Sequence, residues 1–182
     1  MTIGEPLKGE PHKWANNRRA QGEDFFETPR IAVEALLPFV PSTVKTIWEP
    51  TVGLEAISSV LDEHGFSTVV SDKYPKFEGC PSHDFLTDPF LDCEGIVLNP
   101  PFSFKTEFLQ RLIESGKWFA MLVPLSIIET KKRSTMFADN RLSIINLSNR
   151  ICYTGRYSKK VYFHSVWVVN DGLGRIHYAA IN

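Results

Sequence analysis

The sequence predicts an α/β fold built on a mostly parallel β-sheet, and three stretches carry that prediction. The apolar run 95–98, closed by Pro100 and Pro101, is typical of a buried parallel strand. Residues 44–61 follow the order strand, glycine-bearing turn, helix, and residues 67–72 form a β-branched run that ends in Asp72. A chain of 182 residues with 43% hydrophobic content is long enough for one domain with a full core.

The N-terminal residues 1–24 are polar and interrupted by glycine and proline, which predicts a flexible arm ahead of a single domain over residues 25–182. A disordered terminus is the simpler interpretation of this arm, and contact with a nucleic acid is the alternative. The side chains suited to that contact are Lys8, Lys13, Trp14, Arg18 and Arg19.

The first ordered element is expected around Thr28 and Pro29. Threonine suits the N-cap of a helix and proline suits the first helical position, so a helix is predicted from here until Pro38 and Pro41 end it. The next elements are a strand over 44–48, a helix that ends near Gly65, and a second strand over 67–72.

The second half of the chain continues the alternation of helix and strand. Apolar residues at helical spacing predict an amphipathic helix from Phe104 to Gly116, followed by a buried strand over 118–123 and a loop over 125–129. The basic run 131–133 begins a helix or a phosphate-facing loop. Three further strands are predicted over 142–147, 150–154 and 161–169, the last two as an antiparallel hairpin across 155–160.

The segment Asn99-Pro100-Pro101-Phe102 has a chemical interpretation of its own. Two prolines fix the backbone and donate no hydrogen bond, so the loop presents acceptors in a set geometry. The Asn99 amide oxygen and the Pro100 carbonyl can take both hydrogens of a planar amine and turn its lone pair towards an electrophile. Phe102 is then expected to stack on the ring that bears the amine. A proline-rich strand exit without this chemistry is the alternative.

This segment resembles the catalytic tetrapeptide of amino-methyltransferases that use S-adenosylmethionine, most closely the adenine-specific DNA methyltransferases. The resemblance covers about residues 25–170 and implies a doubly wound, Rossmann-like methyltransferase sheet of seven strands, mostly parallel with a C-terminal antiparallel hairpin. The implied catalytic residues are Asn99, Pro100, Pro101 and Phe102. They would act on a target base turned out of its stack.

The resemblance also implies where S-adenosylmethionine binds. Phe26 and Thr28 would lie against its methionine end, Asp72 would bind the ribose hydroxyls, and Asp84 with Phe85 would contact the adenine ring. The remaining implied cofactor-binding residues are Glu49, Pro50 and Gly53, which match the first part of a Glu-Pro-x-x-Gly-x-Gly turn.

Glu55 stands where that turn has its second glycine. Glycine there permits a positive φ or a close backbone approach, whereas a carboxylate adds bulk and negative charge. Glycine at position 55 is therefore expected to tighten cofactor binding. A methyltransferase-like binding module without catalysis is a competing interpretation, for which Glu55 is the main argument.

The acceptor is expected to be adenine in DNA, favoured over RNA, with protein glutamine as a further alternative. The overall net charge of −1 divides into −8 for residues 1–102 and +7 for residues 103–182, and a basic second half suits a polyanion. The cations expected to contact phosphates are Lys131, Lys132, Arg133, Arg156 and Lys159. Tyr153 and Lys160 add aromatic and basic groups near the predicted hairpin tip.

Cysteine usage and hydropathy bear on location. Three cysteines, Cys80, Cys93 and Cys152, are unevenly spaced and predict no disulfide framework, and the apolar runs are too short for a membrane span. A cytoplasmic protein is expected, of a size that suits a phage enzyme acting in its host. Cys80, His83 and Cys93 do not complete a zinc pattern, so no metal is expected.

Overall fold

A computed structural model describes residues 26–153 and 162–181, which are organised around one seven-stranded mixed sheet. The arm over 1–24 and the basic residues Arg156, Lys159 and Lys160 lie outside the described residues. The strand order is β2-β1-β3-β4-β6-β5-β7. The α/β fold class predicted from the sequence is confirmed.

The strands are β1 (Thr46–Glu49), β2 (Ser67–Val70), β3 (Gly95–Leu98), β4 (Trp118–Pro124), β5 (Ser143–Leu147), β6 (Ser165–Val169) and β7 (Ile176–Ala179). The α-helices are α1 (Arg30–Glu34), α2 (Ser58–Glu63), α3 (Lys105–Glu114) and α4 (Lys131–Asp139). Short 3-10 helices span Leu37–Phe39, Phe102–Phe104 and Leu125–Ile128. The last of these replaces the loop expected after β4.

Strands β2, β1, β3 and β4 are parallel neighbours, so their carboxyl ends meet at one edge of the sheet. Every residue of β3 is buried, as the continuous apolar run predicts for a central parallel strand. From β1 the chain continues to β2 on one side of β1 and then to β3 on the other side. The carboxyl ends of β1 and β3 therefore form a topological switch point. Ligands of open α/β sheets bind at such a point.

The other half of the sheet differs from the predicted hairpin. Strand β6 is antiparallel to both β4 and β5 and lies between them, and residues 150–153 form no strand. The predicted pairing of strand 161–169 with strand 150–154 was therefore wrong, because β6 pairs with β4 and β5. Strand β7, parallel to β5 at the sheet edge, was not predicted, because its four residues form no apolar run and two of them are exposed.

The predicted N-cap at Thr28 was also wrong. Helix α1 begins at Arg30, and Pro29 occupies the cap position without a side-chain hydrogen bond. The Thr28 hydroxyl instead accepts a hydrogen bond from the side chain of Asn99. Pro38 lies inside a 3-10 helix and does not end α1, which stops at Glu34.

Two buried tryptophans join the sheet to the segments around its carboxyl edge. The indole N–H of Trp167, on β6, donates to the carbonyl of Ala32 at 2.8 Å and so fixes α1 against the sheet. The indole N–H of Trp48, on β1, donates to Ser71 Oγ at 2.9 Å. Because a buried indole N–H needs a partner, these two bonds set the position of residues 26–34 and of the end of β2.

Candidate active site at the carboxyl edge of the sheet

A cavity of about 370 Å³ opens at the carboxyl ends of β1, β2 and β3. Its volume lies within the range of sites that bind small organic ligands. The cavity brings together all but one of the twelve residues that the resemblance implies as catalytic or cofactor-binding. Those on its wall are Phe26, Thr28, Glu49, Pro50, Gly53, Asp72, Asp84, Phe85, Asn99, Pro100 and Pro101. Phe102 is absent from the wall.

Asp72 shapes the turn that follows β1. One carboxylate oxygen accepts from the backbone N–H of Gly53 at 3.0 Å, and the other accepts from the backbone N–H of Tyr74 at 2.8 Å. Gly53 has φ +55°, a conformation that suits glycine. A carboxylate has further lone pairs beyond these two bonds, so Asp72 retains acceptor capacity towards the cavity.

Glu49, at the end of β1, is a buried carboxyl group on the cavity wall. Burial raises the pKa of Glu49 well above its ordinary value, with help from the charges of Asp72 and Glu55, although its hydrogen bonds with Ser58 act in the opposite direction. Because the pKa is higher in the folded than in the unfolded protein, Glu49 favours folding at low pH. That contribution is lost as the pH rises through the folded-state pKa.

Asp84 and Phe85 form another part of the cavity wall. Asp84 pairs with Lys73 at 2.7 Å and accepts from the backbone N–H of Leu86 at 3.1 Å. Desolvation raises the pKa of Asp84, but these bonds outweigh desolvation and the net pKa is lowered. The Phe85 ring is buried, stacked on Phe108 with centroids 5.3 Å apart. Lys73 was not singled out by the sequence, although it directly follows Asp72.

The two ends of the Asn99 side-chain amide differ in their hydrogen bonds. The nitrogen Nδ2 donates to the Phe26 carbonyl at 2.7 Å and to Thr28 Oγ1 at 2.9 Å. The oxygen Oδ1 is buried and has no hydrogen-bond partner among the described residues. Because buried polar atoms are nearly always paired, an acceptor in this state on a cavity wall is suited to a donor brought by a ligand.

Phe102 lies beneath Phe26 and does not face the cavity. The two rings are stacked with centroids 5.2 Å apart and planes at 15°, and Phe163 meets Phe102 edge-on at 5.4 Å. Phe102 is 8% exposed, so a base can stack on it only if the Phe26 ring moves aside. In this arrangement Phe26 is the ring presented to the cavity. Tyr153 belongs to the same cluster and is 2% exposed, so it cannot grip a nucleic-acid strand as its sequence position suggested.

The basic run at the start of α4 divides into two kinds of side chain. Lys131 and Lys132 are exposed, whereas Arg133 is buried and its guanidinium donates to the carbonyls of Ile127 and Ser126 and to Thr106 Oγ1. Arg133 therefore holds the 3-10 helix Leu125–Ile128, which follows β4, against α3. Of the three predicted phosphate contacts here, the structure leaves the two lysines available and commits the arginine to internal bonds.

Glu55 adopts the left-handed backbone conformation, with φ +61°. Its side chain is exposed and is not part of the cavity wall. The conformation is the one that glycine would supply at this place in the turn, and a residue with a Cβ adopts it at a cost of about 1–2 kcal/mol. Glu55 therefore has a strained backbone, and its carboxylate is not on the cavity wall.

Replacing Glu55 by glycine is expected to raise the free energy of unfolding by about 0.5–1 kcal/mol, because the strain is relieved but the unfolded chain gains freedom. The tightening of cofactor binding expected from the sequence should be less than about threefold, since the backbone of Glu55 already has the left-handed conformation that glycine would adopt. Thermal unfolding and calorimetry measure both quantities. Arg141→Gly is the matched control: Arg141 also has a positive φ, +49°, but lies outside the cavity wall. Destabilisation by Glu55→Gly, or affinity tightened beyond tenfold, would contradict this account.

No helix among residues 26–153 and 162–181 is long and apolar enough to cross a membrane. In the same residues, no three His, Cys, Asp or Glu side chains come together in a group able to hold a metal ion.

The fold has relatives among solved structures, although no family model and no curated protein sequence matches the chain. One is a modification subunit of a putative type I restriction enzyme from Vibrio vulnificus YJ016, with TM-score 0.56 and 15% identity, covering 92% of this chain and 49% of its own. A second is a type I restriction-modification methyltransferase subunit from Streptococcus thermophilus, with TM-score 0.58 and 12% identity. The match covers 85% of this chain and 47% of that subunit. A third is a putative RNA methyltransferase from Pyrococcus horikoshii, with TM-score 0.56 and 13% identity over 79% and 84%.

These similarities show the fold: the chain has the Rossmann-like α/β sheet of these methyltransferase structures. It spans about half the length of the two restriction-modification subunits that it matches.

Proposed function

We propose that this protein transfers a methyl group from S-adenosylmethionine to the exocyclic amino group of adenine in DNA. The observation that supports the proposal most directly is the buried, unpartnered Oδ1 of Asn99 on the wall of the cavity, in the same tip as Pro100. An acceptor without a partner, next to a proline that cannot donate, is what an incoming amine requires.

The cavity residues fit the cofactor. Asp72 would accept from the ribose hydroxyls with its remaining lone pairs, and Asp84 with Phe85 would take the adenine end. Phe26 and Thr28 would flank the methionine end. Glu49, Pro50 and Gly53 belong to the turn whose backbone would approach the ligand. The Glu49 carboxyl suits a cationic ligand, because a nearby positive charge favours its ionised form. When bound, S-adenosylmethionine supplies a methyl group carried by a sulfonium.

In the proposed reaction the protein acts by positioning. The two amine hydrogens are donated to Asn99 Oδ1 and to the Pro100 carbonyl, so the nitrogen lone pair points at the methyl carbon. The N–C bond forms as the S–C bond breaks, and the bonding electrons stay on sulfur. The alkylated nitrogen then loses its proton to water. Fixed acceptor dipoles that match the developing positive charge on nitrogen account for the acceleration.

DNA is preferred as the acceptor for two reasons. The +7 charge of residues 103–182 suits a polyanion, and Lys131 and Lys132 are exposed at the start of α4, just after the loop that follows β4. Two of the solved structures with this fold are named as restriction-modification subunits. RNA adenine and the side-chain amide of protein glutamine are the alternative acceptors, because a planar amine is common to all three.

The test offers labelled S-adenosylmethionine with DNA, RNA and a protein extract side by side, and identifies the labelled base after digestion. We expect label in DNA as N6-methyladenine. Label found only in RNA or in protein would overturn the DNA assignment. Label in none of the three, despite measured cofactor binding, would favour a methyltransferase-like binding module without catalysis.

DNA affinity supplies an independent check. If the exposed lysines contact phosphates, DNA affinity should fall roughly as the 0.9 power of the salt concentration for each phosphate contact. The double variant Lys131→Gln, Lys132→Gln should lower this salt dependence by the equivalent of up to about two contacts. Arg175→Gln is the matched control, because Arg175 is exposed just before β7, at the opposite edge of the sheet from the cavity. A slope unchanged in the double variant would exclude this surface as the DNA contact.

A further inference from the structure

We propose that Thr28 is a positioning residue for the reaction: its hydroxyl fixes the tilt of the Asn99 amide, whose orientation the Phe26 carbonyl selects, so that the amide oxygen faces the acceptor amine. The inference rests on the proposed function for its catalytic meaning, but its geometric content concerns the unliganded protein. It assigns Thr28 a role through Asn99, beyond the contact with the cofactor that its place in the sequence suggests.

The two ends of an asparagine amide differ in the hydrogen bonds that they make. The nitrogen end carries two hydrogens to donate and the oxygen end has two lone pairs to accept, while the two ends have almost the same shape. An asparagine at a catalytic tip can therefore present either end unless its neighbours discriminate. Only the oxygen end can accept a hydrogen from an amine, so a flipped Asn99 would set donor against donor.

The segment 26–28 supplies that discrimination. The Asn99 Nδ2 hydrogens go to the Phe26 carbonyl at 2.7 Å and to Thr28 Oγ1 at 2.9 Å, which uses both donors of the amide. A main-chain carbonyl can only accept, so a flipped amide would place oxygen against oxygen at Phe26. The Thr28 hydroxyl takes the second hydrogen and fixes the tilt of the amide plane. The remaining atom, Oδ1, is the one left without a partner.

The segment is itself held at several points, so it can act as a rigid support. Thr28 is 5% exposed, and the Phe26 ring is stacked on Phe102, the last residue of the same tip. Helix α1 follows at once and is tied to β6 through the bond from Trp167 to Ala32. The segment thus contacts the first and the last residue of the tetrapeptide and is anchored to the sheet beyond it.

The test compares Thr28→Val, which keeps the shape of the side chain and removes the acceptor, with Thr28→Ser, which keeps the hydroxyl. Loss of one neutral hydrogen bond is expected to lower kcat by about three- to tenfold in the valine variant. Serine should restore kcat to within about twofold of the native value. The cofactor Kd should change by less than about twofold in both. Thr68→Val is the matched control, since the Thr68 hydroxyl bonds Asp62 on the exposed surface, away from the cavity.

A second readout needs neither cofactor nor activity. In ¹⁵N-labelled unliganded protein, the Asn99 side-chain NH2 pair is assigned by its absence in Asn99→Ala. We expect both hydrogens to exchange slowly with solvent in the native protein, and at least one to exchange about tenfold faster in Thr28→Val but not in Thr28→Ser. If Thr28→Val does not fold, Thr28→Ala serves the same comparison, because it also removes the hydroxyl.

Each outcome bears on one of the two proposals. An unchanged kcat with an unchanged NH2 pair in Thr28→Val would overturn the role assigned to Thr28, and so would a loss confined to cofactor Kd, which would make Thr28 a cofactor contact alone. If the native protein transfers no methyl group to any acceptor, the proposed function fails. The exchange of the NH2 pair still decides whether Thr28 holds the amide.

Discussion

Replacing Asn99 by alanine is expected to lower turnover by about 10²–10³ while leaving cofactor affinity within about threefold of the native value. The removed oxygen acts on charge that develops only as the amine is alkylated, and loss of one such fixed group commonly costs this much in kcat. Asn99 lies at the end of β3 with its Oδ1 unpartnered, so alanine removes an acceptor that no described residue uses. Single-turnover kinetics and calorimetry separate the two quantities.

Asn99→Asp is the informative companion variant. It keeps an oxygen towards the cavity but sets a second oxygen against the Phe26 carbonyl and Thr28 Oγ1, where the native amide donates. We expect a lower midpoint of thermal unfolding together with lower turnover, because a carboxylate cannot donate to the Phe26 carbonyl. Turnover of Asn99→Ala within about threefold of native would show that the tip does not bind the amine.

The second large effect is expected for Asp72→Ala, which should weaken cofactor binding by about 10–100-fold. The change removes the acceptor for the Gly53 and Tyr74 backbone N–H groups as well as the expected ribose contact. Hydrogen bonds to a charged group contribute about 1.5–3 kcal/mol each, which corresponds to this range for one contact with the ligand. Calorimetry with S-adenosylmethionine measures the change directly.

Two variants make that result interpretable. Asp72→Asn keeps one acceptor oxygen and should give an intermediate Kd, whereas Asp62→Ala removes an exposed acid of α2 that bonds Thr68 and should bind the cofactor as the native protein does. An Asp72→Ala variant that binds unchanged, or native protein that shows no binding at millimolar cofactor, would direct attention to a different ligand for the cavity.

The parts of the fold that the sequence could predict are those determined locally. Strand β3 is a continuous apolar run ended by prolines, and parallel strands have their carboxyl ends at one edge of the sheet, which is how Asp72 and Asn99 come to lie on the wall of one cavity. The order β1, turn, α2, β2 follows from the same alternation of patterns.

The parts that the sequence could not predict depend on distant contacts. Thr28 has the chemistry of a helix N-cap, but a residue 71 positions away uses its hydroxyl, and no local pattern shows that competition. Phe102 was expected to face the ligand because of its place in the tip, yet the ring of Phe26 covers it. Strand β7 forms by pairing with the free edge of β5, whereas the sequence of β7 itself has no strand pattern.

The position of β6 between β4 and β5 has a consequence for the order in which the sheet can assemble during synthesis. Strand β5 leaves the ribosome before β6 but has no paired neighbour other than β6 and β7 within the described sheet. Strands β2, β1, β3 and β4 can pair as soon as residue 124 is available, and the segments that follow β1, β2 and β3 carry most of the cavity wall. A nascent chain would therefore hold the cavity half of the sheet with β4 as an open edge until residues 165–169 arrive, and that exposed edge is where association between unfinished chains would begin.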